Sequence, residues 1–246
     1  MGVIDVNCDM GEGFGNDEII MPFISSANIA CGYHAGDERI MKQTIELAQM
    51  NSVAVGAHPS FFDKENFGRT EMNLAPEQIY DIIILQLRLI AKIARLQHAR
   101  LHHVKPHGAL YNMSAKNPVI ANAIANAVKD FDEELILFGL SGSYSIKEAE
   151  QLNLKTANEI FADRTYQDDG SLTPRSQTNA LIEDTAKSVI QVLQMITEKK
   201  VTSVNGNEIS IKADTICVHG DGKKAVEFVT AIYQSLKQHN IDVKAI

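Results

Sequence analysis

The sequence predicts an α/β fold in which parallel strands alternate with helices around a closed or nearly closed barrel. Short apolar runs bounded by glycine or proline alternate with longer segments of helical periodicity, which is the pattern of parallel strands joined by helical crossovers. About seven such units follow one another in the 246 residues without a linker, repeat or low-complexity tract. We therefore expect one domain over residues 1–246. An open, doubly wound sheet is the alternative architecture.

Composition and charge exclude several classes of function. The chain is 45% hydrophobic and 22% charged, as in ordinary globular domains, and its net charge is -8. No basic cluster is dense enough to bind nucleic acid, and the acidic balance argues against an anionic membrane surface. The N-terminus lacks the pattern of a signal peptide, and the longest apolar run, Ile82–Leu85, is too short to span a bilayer. We expect a cytoplasmic protein with no nucleic-acid and no membrane partner.

Three strands and two long helices are predicted in the first half of the chain. Apolar and polar residues alternate from Val3 to Asp9, which predicts a strand with Asp5, Asn7 and Asp9 on one face. Similar short runs predict strands at Ser26–Ala30 and Ser52–Ala57. Helical periodicity, a capping aspartate at position 37 and a proline at position 76 predict helices at Glu38–Met50 and Leu74–Ala99.

The alternation continues in the second half of the chain. Strands are predicted at His102–Pro106, Glu134–Leu140, Lys155–Glu159 and Asp214–Val218, and helices at 117–129, Tyr144–Gln151, Thr178–Lys199 and Lys223–His239. Asn205-Gly206 lies between two alternating runs, so a small added hairpin is predicted near residues 201–211. The polar segment Tyr166–Thr178 has the composition of a surface loop or lid.

Polar side chains concentrate at the carboxyl ends of the predicted strands. In a parallel barrel these ends meet on one face, which is where barrel enzymes place their active sites. Loops from distant parts of the chain are therefore expected to bring one set of side chains to a single pocket: Asp9, Glu12, Asn28, His34, Asp37, His58, Lys105, His107, Glu159, Asp163, Arg164, His219 and Asp221.

Four histidines stand out in this set because each lies beside glycine or proline just past a strand. They are His34, His58, His107 and His219. A single histidine is more often a hydrogen-bonded structural residue, but four at one rim favour a functional role. His34 and Asp37, three residues apart on a glycine-rich loop, could form a base and the acid that orients it.

Three other interpretations stay open. Asp9, His34 and His58 could supply nitrogen and oxygen ligands to a divalent metal ion, although no His-x-x-x-His pair fixes two ligands on one turn. Asp163 and Arg164 could form a local ion pair that only anchors their loop. The three cysteines include no Cys-x-x-Cys pair and are predicted to be buried packing residues rather than catalytic thiols.

Nucleotide-binding motifs are missing. Gly11–Gly15 lacks the third glycine of the dinucleotide fingerprint, and Asp221–Lys224 lacks the upstream glycine and the following hydroxyl residue of a P-loop. If the reaction uses ATP, no recognisable sequence motif in this chain holds it.

Several motifs in order resemble the LamB/YcsF family. They occupy residues 5–15 (DVNCDMGEGFG), 28–37 (NIACGYHAGD), 56–60 (GAHPS), 105–111 (KPHGALY) and 159–164 (EIFADR). The resemblance implies an irregular seven-stranded, TIM-like β/α barrel similar to glycoside hydrolase and deacetylase barrels. It also implies a part in the ATP-dependent opening of 5-oxoproline (pyroglutamate) to L-glutamate, together with two further subunits, B and C.

The residues themselves suggest roles in such a reaction. A lactam is a poor electrophile, so phosphorylation of its oxygen by ATP, followed by attack of base-activated water, is a reasonable route. Bases are expected among Asp9, His34 and His58, whereas Lys105, His107 and Arg164 are expected to hold a carboxylate, phosphate or oxyanion. The assigned catalytic set is Asp9, His34, Asp37, His58, Lys105 and His107. The assigned substrate-binding set is Glu12, Asn28, Glu159, Asp163, Arg164, His219 and Asp221.

Two further functions are kept as alternatives. The chain could be a metal-dependent amide or carbohydrate deacetylase, or a non-catalytic substrate-binding subunit. Because no nucleotide motif is present, ATP as co-substrate is expected to bind in a partner subunit or at a shared interface.

Overall fold

The computed structural model describes residues 2–219 and 224–246. Its centre is a barrel of seven parallel strands, and each strand is hydrogen-bonded to the next. The strands are β1 (Gly2–Met10), β2 (Ser26–Ala30), β3 (Ala54–His58), β4 (His103–Val104), β5 (Ile136–Leu140), β6 (Thr156–Phe161) and β9 (Thr215–Val218). The barrel closes where β9 pairs with β1, with Asn7 opposite Cys217 on one side and opposite Ser26 on the other. This closure confirms the predicted barrel and excludes the open sheet.

Helices cover the outside of the barrel between successive strands. They are α1 (Asp17–Ile20), α2 (Glu38–Met50), α3 (Pro76–Leu96), α4 (Gly108–Lys116), α5 (Pro118–Phe131), α6 (Tyr144–Gln151), α7 (Thr185–Thr197) and α8 (Ala225–Gln238). The sequence predicted the bounds of α2 and α6 correctly because each has a clear periodic stripe and a sharp start. The predicted hairpin is also present, as the antiparallel strands β7 (Lys200–Thr202) and β8 (Glu208–Ser210).

Several elements differ from the sequence prediction. Helices α1 and α4, the 3₁₀ turn Met21–Phe23 and a short strand β10 (Ile241–Val243) beside β1 were not predicted. Helix α7 begins at Thr185 instead of Thr178, because Leu181 pairs with Arg164 as an antiparallel bridge and the Asp184 carboxylate caps the helix. Short elements such as these depend on tertiary partners, so local periodicity does not reveal them.

The segment predicted as a lid is held tightly to the barrel. Tyr166 is fully buried, and its hydroxyl accepts a hydrogen bond from the backbone N–H of Phe161 at 2.8 Å. Its carbonyl accepts the backbone N–H of Val204, which joins the segment to the hairpin. This part of the rim is therefore a fixed wall with buried anchors.

Alternating faces of the strands separate two kinds of interior. On β1, the side chains of Val6, Cys8 and Met10 point outward into the apolar layer beneath the helices. Asp5 and Asn7, on the opposite face, are fully buried inside the barrel. The barrel is thus filled by polar groups, which need mutual hydrogen bonds to offset their burial. Among the described residues, no helix has the length and apolar character to cross a bilayer.

Candidate active site

The floor of the barrel is built around Asp5. Its carboxylate accepts hydrogen bonds from the hydroxyls of Ser25 at 2.6 Å, Ser26 at 2.7 Å and Thr215. Burial raises the pKa of Asp5 although these three hydroxyls act in the opposite direction. This layer lies deep below the rim and orients the layer above, since Thr215 also accepts a hydrogen bond from the Asn7 amide at 2.7 Å.

The next layer is an amide and imidazole network. The Asn28 amide donates to Asn7 Oδ1 at 2.7 Å and to Asp9 Oδ1 at 2.9 Å. His103 Nε2 lies 2.8 Å from Asn28 Oδ1, which fixes the orientation of that amide. The His103 ring lies flat against Gly56, where a Cβ atom would come within 2.0 Å of Nε2. The glycine at position 56 is therefore required for this ring to reach Asn28.

A buried lysine occupies the level just below the rim. Lys105 Nζ lies 3.0 Å from Asp9 Oδ1, 2.9 Å from Glu159 Oε1 and 3.1 Å from Cys217 Sγ. Burial would lower the pKa of Lys105, but these neighbours outweigh it and raise that pKa well above its usual range. Burial would likewise raise the pKa of Asp9, but His58 and Lys105 hold it well below its usual range. Both groups are therefore ionised at neutral pH.

At the rim, one carboxylate and three imidazoles converge. Glu12 Oε1 lies 2.9 Å from His34 Nε2, 3.4 Å from His107 Nδ1 and 3.8 Å from His58 Nε2. His58 Nε2 and His107 Nδ1 are 2.9 Å apart, and the rings of His34 and His107 stack at 3.8 Å. We call Glu12, His34, His58 and His107 the rim cluster.

The far nitrogens of two of these rings face backbone carbonyl groups. His58 Nδ1 lies 2.7 Å from the carbonyl oxygen of Lys105, and His107 Nε2 lies 2.9 Å from that of Phe67. A carbonyl can only accept, so each of these nitrogens carries the hydrogen. The other nitrogens, His58 Nε2 and His107 Nδ1, therefore face the rim cluster.

The outer nitrogen of His34 faces a hydroxyl group instead of a carbonyl. Ser60 Oγ lies 2.9 Å from the carbonyl oxygen of Phe61 and 3.0 Å from His34 Nδ1, so a hydroxyl that donates to the carbonyl can accept from this nitrogen. His34 Nε2 lies on the opposite edge of the ring, facing Glu12. Burial and the neighbouring imidazoles lower the pKa of His34 far below its usual range. The same causes lower the pKa of His107 to about 3.

A glycine permits the close packing of this cluster. Gly68 has φ +65°, and a Cβ there would lie 2.9 Å from both His107 Cδ2 and His34 Cβ. The loop carrying Phe67 and Gly68 can therefore close over the two rings, which places the Phe67 carbonyl against His107. This loop was not predicted to reach the site, because it contains no predicted strand end.

The rim cluster borders a cavity of about 410 Å³. Asp9, His58 and Lys105 line it, together with further cationic side chains. These are Arg69, Lys116, Arg164 and Arg175. The lining therefore combines carboxylate, imidazole and cationic groups, which suits a small ligand with an anionic end.

His219 and Arg164 also line the cavity. His219 Nδ1 lies 2.8 Å from Asp163 Oδ2, so Asp163 orients this histidine. The Arg164 guanidinium donates to the carbonyls of Thr173 at 2.6 Å and Ala180 at 3.3 Å, which anchors the wall of the cavity. Of the predicted pair, Asp163 thus contacts His219, and Arg164 holds the loop.

The structure brings most of the predicted site residues together and separates a few. Asp9, Glu12, His58, Lys105, His107, Arg164 and His219 line the cavity. Asn28 and Glu159 are fully buried beneath it as partners of Asp9 and Lys105. The Asp37 carboxylate instead accepts the backbone N–H of Ile40 at 2.8 Å and caps α2. Asp221 lies outside the described residues.

Other groups of the site were not predicted. Cys217 contacts Lys105 inside the barrel, and Ser60 and Arg69 reach the rim from the loop after β3. Cys217 occupies an inward strand position and could have been found from the alternation alone. Ser60 and Arg69 lie in a long irregular loop, where no periodic signal exists.

Comparison with known proteins places these features in a family. The model of the LamB/YcsF family matches residues 4–246. The chain is 52% identical over 248 residues to the A subunit of 5-oxoprolinase from Staphylococcus epidermidis, covering 99% of this chain and 98% of that protein. The crystal structure of the lactam utilization protein from Thermus thermophilus superposes with a TM-score of 0.93 at 38% identity, over 99% of this chain and 100% of that one.

The barrel also resembles more distant enzymes. A family 4 carbohydrate esterase from Streptomyces lividans superposes with a TM-score of 0.55 at 11% identity, over 100% of this chain and 93% of that one. At this identity the likeness concerns the fold alone.

Proposed function

The chain belongs to the LamB/YcsF family, and from this premise we propose that it is the A subunit of a 5-oxoprolinase. The observation that carries the proposal is the full-length similarity, at about half identity, to proteins named as the A subunit of 5-oxoprolinase. The proposed reaction opens the lactam of 5-oxoproline to L-glutamate with hydrolysis of ATP, in a cytoplasmic complex with subunits B and C.

The cavity suits this substrate in charge and in size. 5-Oxoproline is a small ring with one carboxylate, and the lining of the cavity includes cationic side chains. We assign Arg175 and Lys116 of this lining to the substrate carboxylate or to a transferred phosphoryl group, since their donors match anionic oxygens. The lactam ring would then point toward Asp9 and His58.

The proposed chemistry proceeds by activation of the lactam. Transfer of the ATP γ-phosphoryl group to the amide oxygen makes the ring carbon electrophilic. Water then adds to this carbon, the C–N bond breaks with a proton delivered to nitrogen, and hydrolysis of the resulting acyl phosphate gives glutamate and phosphate. The addition of water and the breaking of the C–N bond both need proton transfer and charge stabilisation at the ring carbon. Asp9, His58 and Lys105 in the cavity can supply them.

Asp9 is the residue that we assign as base. Lys105 and Asn28 occupy its Oδ1 atom, whereas Oδ2 lies 3.3 Å from His58 Nε2 on the cavity side. Lys105 is a positioning residue, because its ammonium is already surrounded by Asp9, Glu159 and Cys217. His58 is suited to exchange a proton with Asp9 or with a leaving nitrogen.

The experiment measures ATP hydrolysis and glutamate formation with 5-oxoproline, for the chain alone and with its two partner subunits. In the complete complex, ATP hydrolysis is expected to be coupled to glutamate formation. The Asp9→Asn substitution is expected to lower the turnover of the complex by about 100-fold or more. Asp81→Asn, at an exposed position of α3, is the matched control and should leave turnover unchanged. Activity in the complex that is independent of 5-oxoproline would reject the proposal.

The same assay separates the remaining interpretations. A pure substrate-binding subunit would lose affinity for 5-oxoproline in step with activity, whereas a catalytic one would lose turnover with the Michaelis constant largely retained. Tight ATP binding to the isolated chain, measured by calorimetry, would contradict a nucleotide site in a partner subunit. The distant esterase likeness supports only the barrel, so we do not propose a deacetylase.

A further inference from the structure

The rim cluster has an unusual electrostatic property. The outer nitrogens of the three imidazoles lie beside Ser60 Oγ, the Lys105 carbonyl and the Phe67 carbonyl, each of which can accept an N–H. With that hydrogen in place on three neutral rings, the remaining nitrogens and Glu12 Oε1 are four acceptors that face one another, all within 4.8 Å. In this form the lone pairs repel one another unless a positive charge lies among them.

The spacing of these four atoms fits one particular kind of charge. Zinc binds imidazole nitrogen at about 2.0–2.1 Å and carboxylate oxygen at about 2.0–2.2 Å, so the edge of its tetrahedron is about 3.3 Å. The separations in the rim cluster are 2.9, 3.4 and 3.8 Å from Glu12 Oε1 and 2.9 Å between His58 and His107. These separations lie on both sides of the expected edge, and binding of an ion would turn the His34 and His107 rings out of the parallel stack that they form here.

The outer hydrogen bonds have the pattern that surrounds metal-bound histidines. Histidine ligands commonly donate their other N–H to a carbonyl, carboxylate or hydroxyl, which fixes the tautomer and aims the lone pair. Here the outer nitrogens of all three rings lie beside such groups, from buried positions at or just past the ends of three different strands. A hydrogen-bonded core histidine needs no such convergence, since each ring could use its lone pair on a separate donor.

We propose that Glu12, His34, His58 and His107 bind one divalent transition-metal ion of the zinc class at the rim of the barrel. Three nitrogen donors and one oxygen donor favour such an ion over magnesium or calcium, which prefer all-oxygen sites. Of the metal ligands predicted from sequence, His34 and His58 belong to this set. Asp9 is adjacent to it, but Lys105 and Asn28 hold its Oδ1 atom.

The site would adjoin the cavity in which the proposed reaction occurs. Glu12, His58 and His107 line that cavity, whereas the side chain of His34 has no exposed surface. The proposal concerns metal binding and does not depend on the proposed function, so a failure of either can be distinguished from a failure of the other.

The test measures the metal directly. Tag-free protein purified without chelator is analysed for metals by mass spectrometry, then stripped, dialysed and titrated with Zn²⁺ by calorimetry. We expect one ion per chain. Replacement by Co²⁺ should give the visible absorption bands of a nitrogen- and oxygen-ligated cobalt ion. Wild-type protein that binds neither ion with one-to-one stoichiometry would overturn the proposal.

Variants locate the ion. His107→Ala is expected to weaken Zn²⁺ binding by more than about 100-fold, and the isosteric Glu12→Gln, which disturbs packing least, by at least about 10-fold. His219→Ala tests a second group of possible ligands, Asp9, Cys217 and His219, which lies within the same distance limit. It should leave the affinity unchanged, as should the exposed His239→Ala.

The opposite pattern would refute the assignment. If His219→Ala abolished binding while His107→Ala and Glu12→Gln retained it, the ion would belong to the second group. Circular dichroism and thermal melting of each metal-free variant establish that the fold is intact, so that a loss of affinity reports on the ligands. The cobalt spectrum gives a second reading, because loss of one ligand shifts its bands even where some affinity remains.

Discussion

Replacement of Gly56 by alanine should disrupt the barrel interior far more than its single added methyl group suggests. The new Cβ would lie 2.0 Å from His103 Nε2 and 2.4 Å from two carbon atoms of the ring. The ring cannot move away freely, because it stacks on Phe138 with centroids 4.2 Å apart and holds Asn28 Oδ1 at 2.8 Å. The substitution therefore forces His103 out of its hydrogen bond.

The expected cost is built from two losses and one gain. Overpacking a well-filled interior costs about 1–3 kcal/mol. Leaving the buried Asn28 oxygen without its donor costs about 1–3 kcal/mol more. The lower chain entropy of alanine in the unfolded state returns about 0.4–1 kcal/mol. The net loss in the free energy of unfolding is about 1–5.5 kcal/mol, and its middle value of about 3 kcal/mol corresponds to a Tm lower by roughly 6–12 °C in a domain of this size.

Urea unfolding monitored by circular dichroism measures this loss. Gly2→Ala is the matched control: it lies in β1, where a Cβ would meet Ile241 at an ordinary 3.6 Å, and its effect should stay within about 0.5 kcal/mol. The sharper test is a double-mutant cycle with His103→Ala. Without the ring, Gly56→Ala should cost less than about 1 kcal/mol, which gives a coupling energy of about 2 kcal/mol at the middle of the expected range.

Two results would refute this reasoning. The first is a Gly56→Ala protein as stable as the Gly2→Ala control. The second is an equal cost of Gly56→Ala with and without the His103 ring, because the clash would then lie elsewhere.

Three further changes test other parts of the site. Lys105→Met should destabilise the fold by about 3–5 kcal/mol, since it leaves the buried carboxylates of Asp9 and Glu159 without their cation. An unchanged Tm would contradict these ion pairs. The pKa of Asp163 is lowered because His219 outweighs the effect of burial, so this pairing stabilises the fold above pH about 4 and is lost as pH falls through the lowered pKa. His219→Asn should therefore lower the free energy of unfolding by about 1–2 kcal/mol in urea at pH 5, and this deficit should shrink steadily in a series of measurements toward lower pH. A deficit that does not change across the series would argue against the pairing. Asp37→Ala should lower the free energy of unfolding by about 1 kcal/mol, and Asp37→Ser should restore this loss because a serine hydroxyl can also cap the helix. A melting temperature of Asp37→Ala equal to that of the wild type would exclude the capping role.

The sequence was most informative where one local rule sufficed. Alternation on β1 places Asp5, Asn7 and Asp9 on one face, and the structure puts all three inside the barrel. Strand and helix alternation predicted the closed barrel, and Asn205-Gly206 predicted the hairpin. The motifs indicated the family, which the match over residues 4–246 confirmed. Single-domain organisation and the catalytic roles stay predictions.

The contacts within the site were beyond any local rule. His34 and Asp37 are neighbours in sequence, yet the carboxylate that His34 meets is Glu12 from another loop, while Asp37 turns to the helix. Arg164 follows Asp163 directly, yet Asp163 pairs with His219, 56 residues further along the chain. Alternation and spacing specify a face or a strand end, but not which side chains from separate loops will meet there.

Sequence alone thus determined the barrel, its family and the rim at which the polar residues gather, because periodicity and strand-end position are local properties of the chain. Only the tertiary structure decided which nitrogen of each histidine faces Glu12 and that Lys105 is enclosed by its neighbours. These features depend on distances of about 3 Å between residues as far as 112 positions apart in the chain. Closure of the barrel and packing of its loops fix such distances.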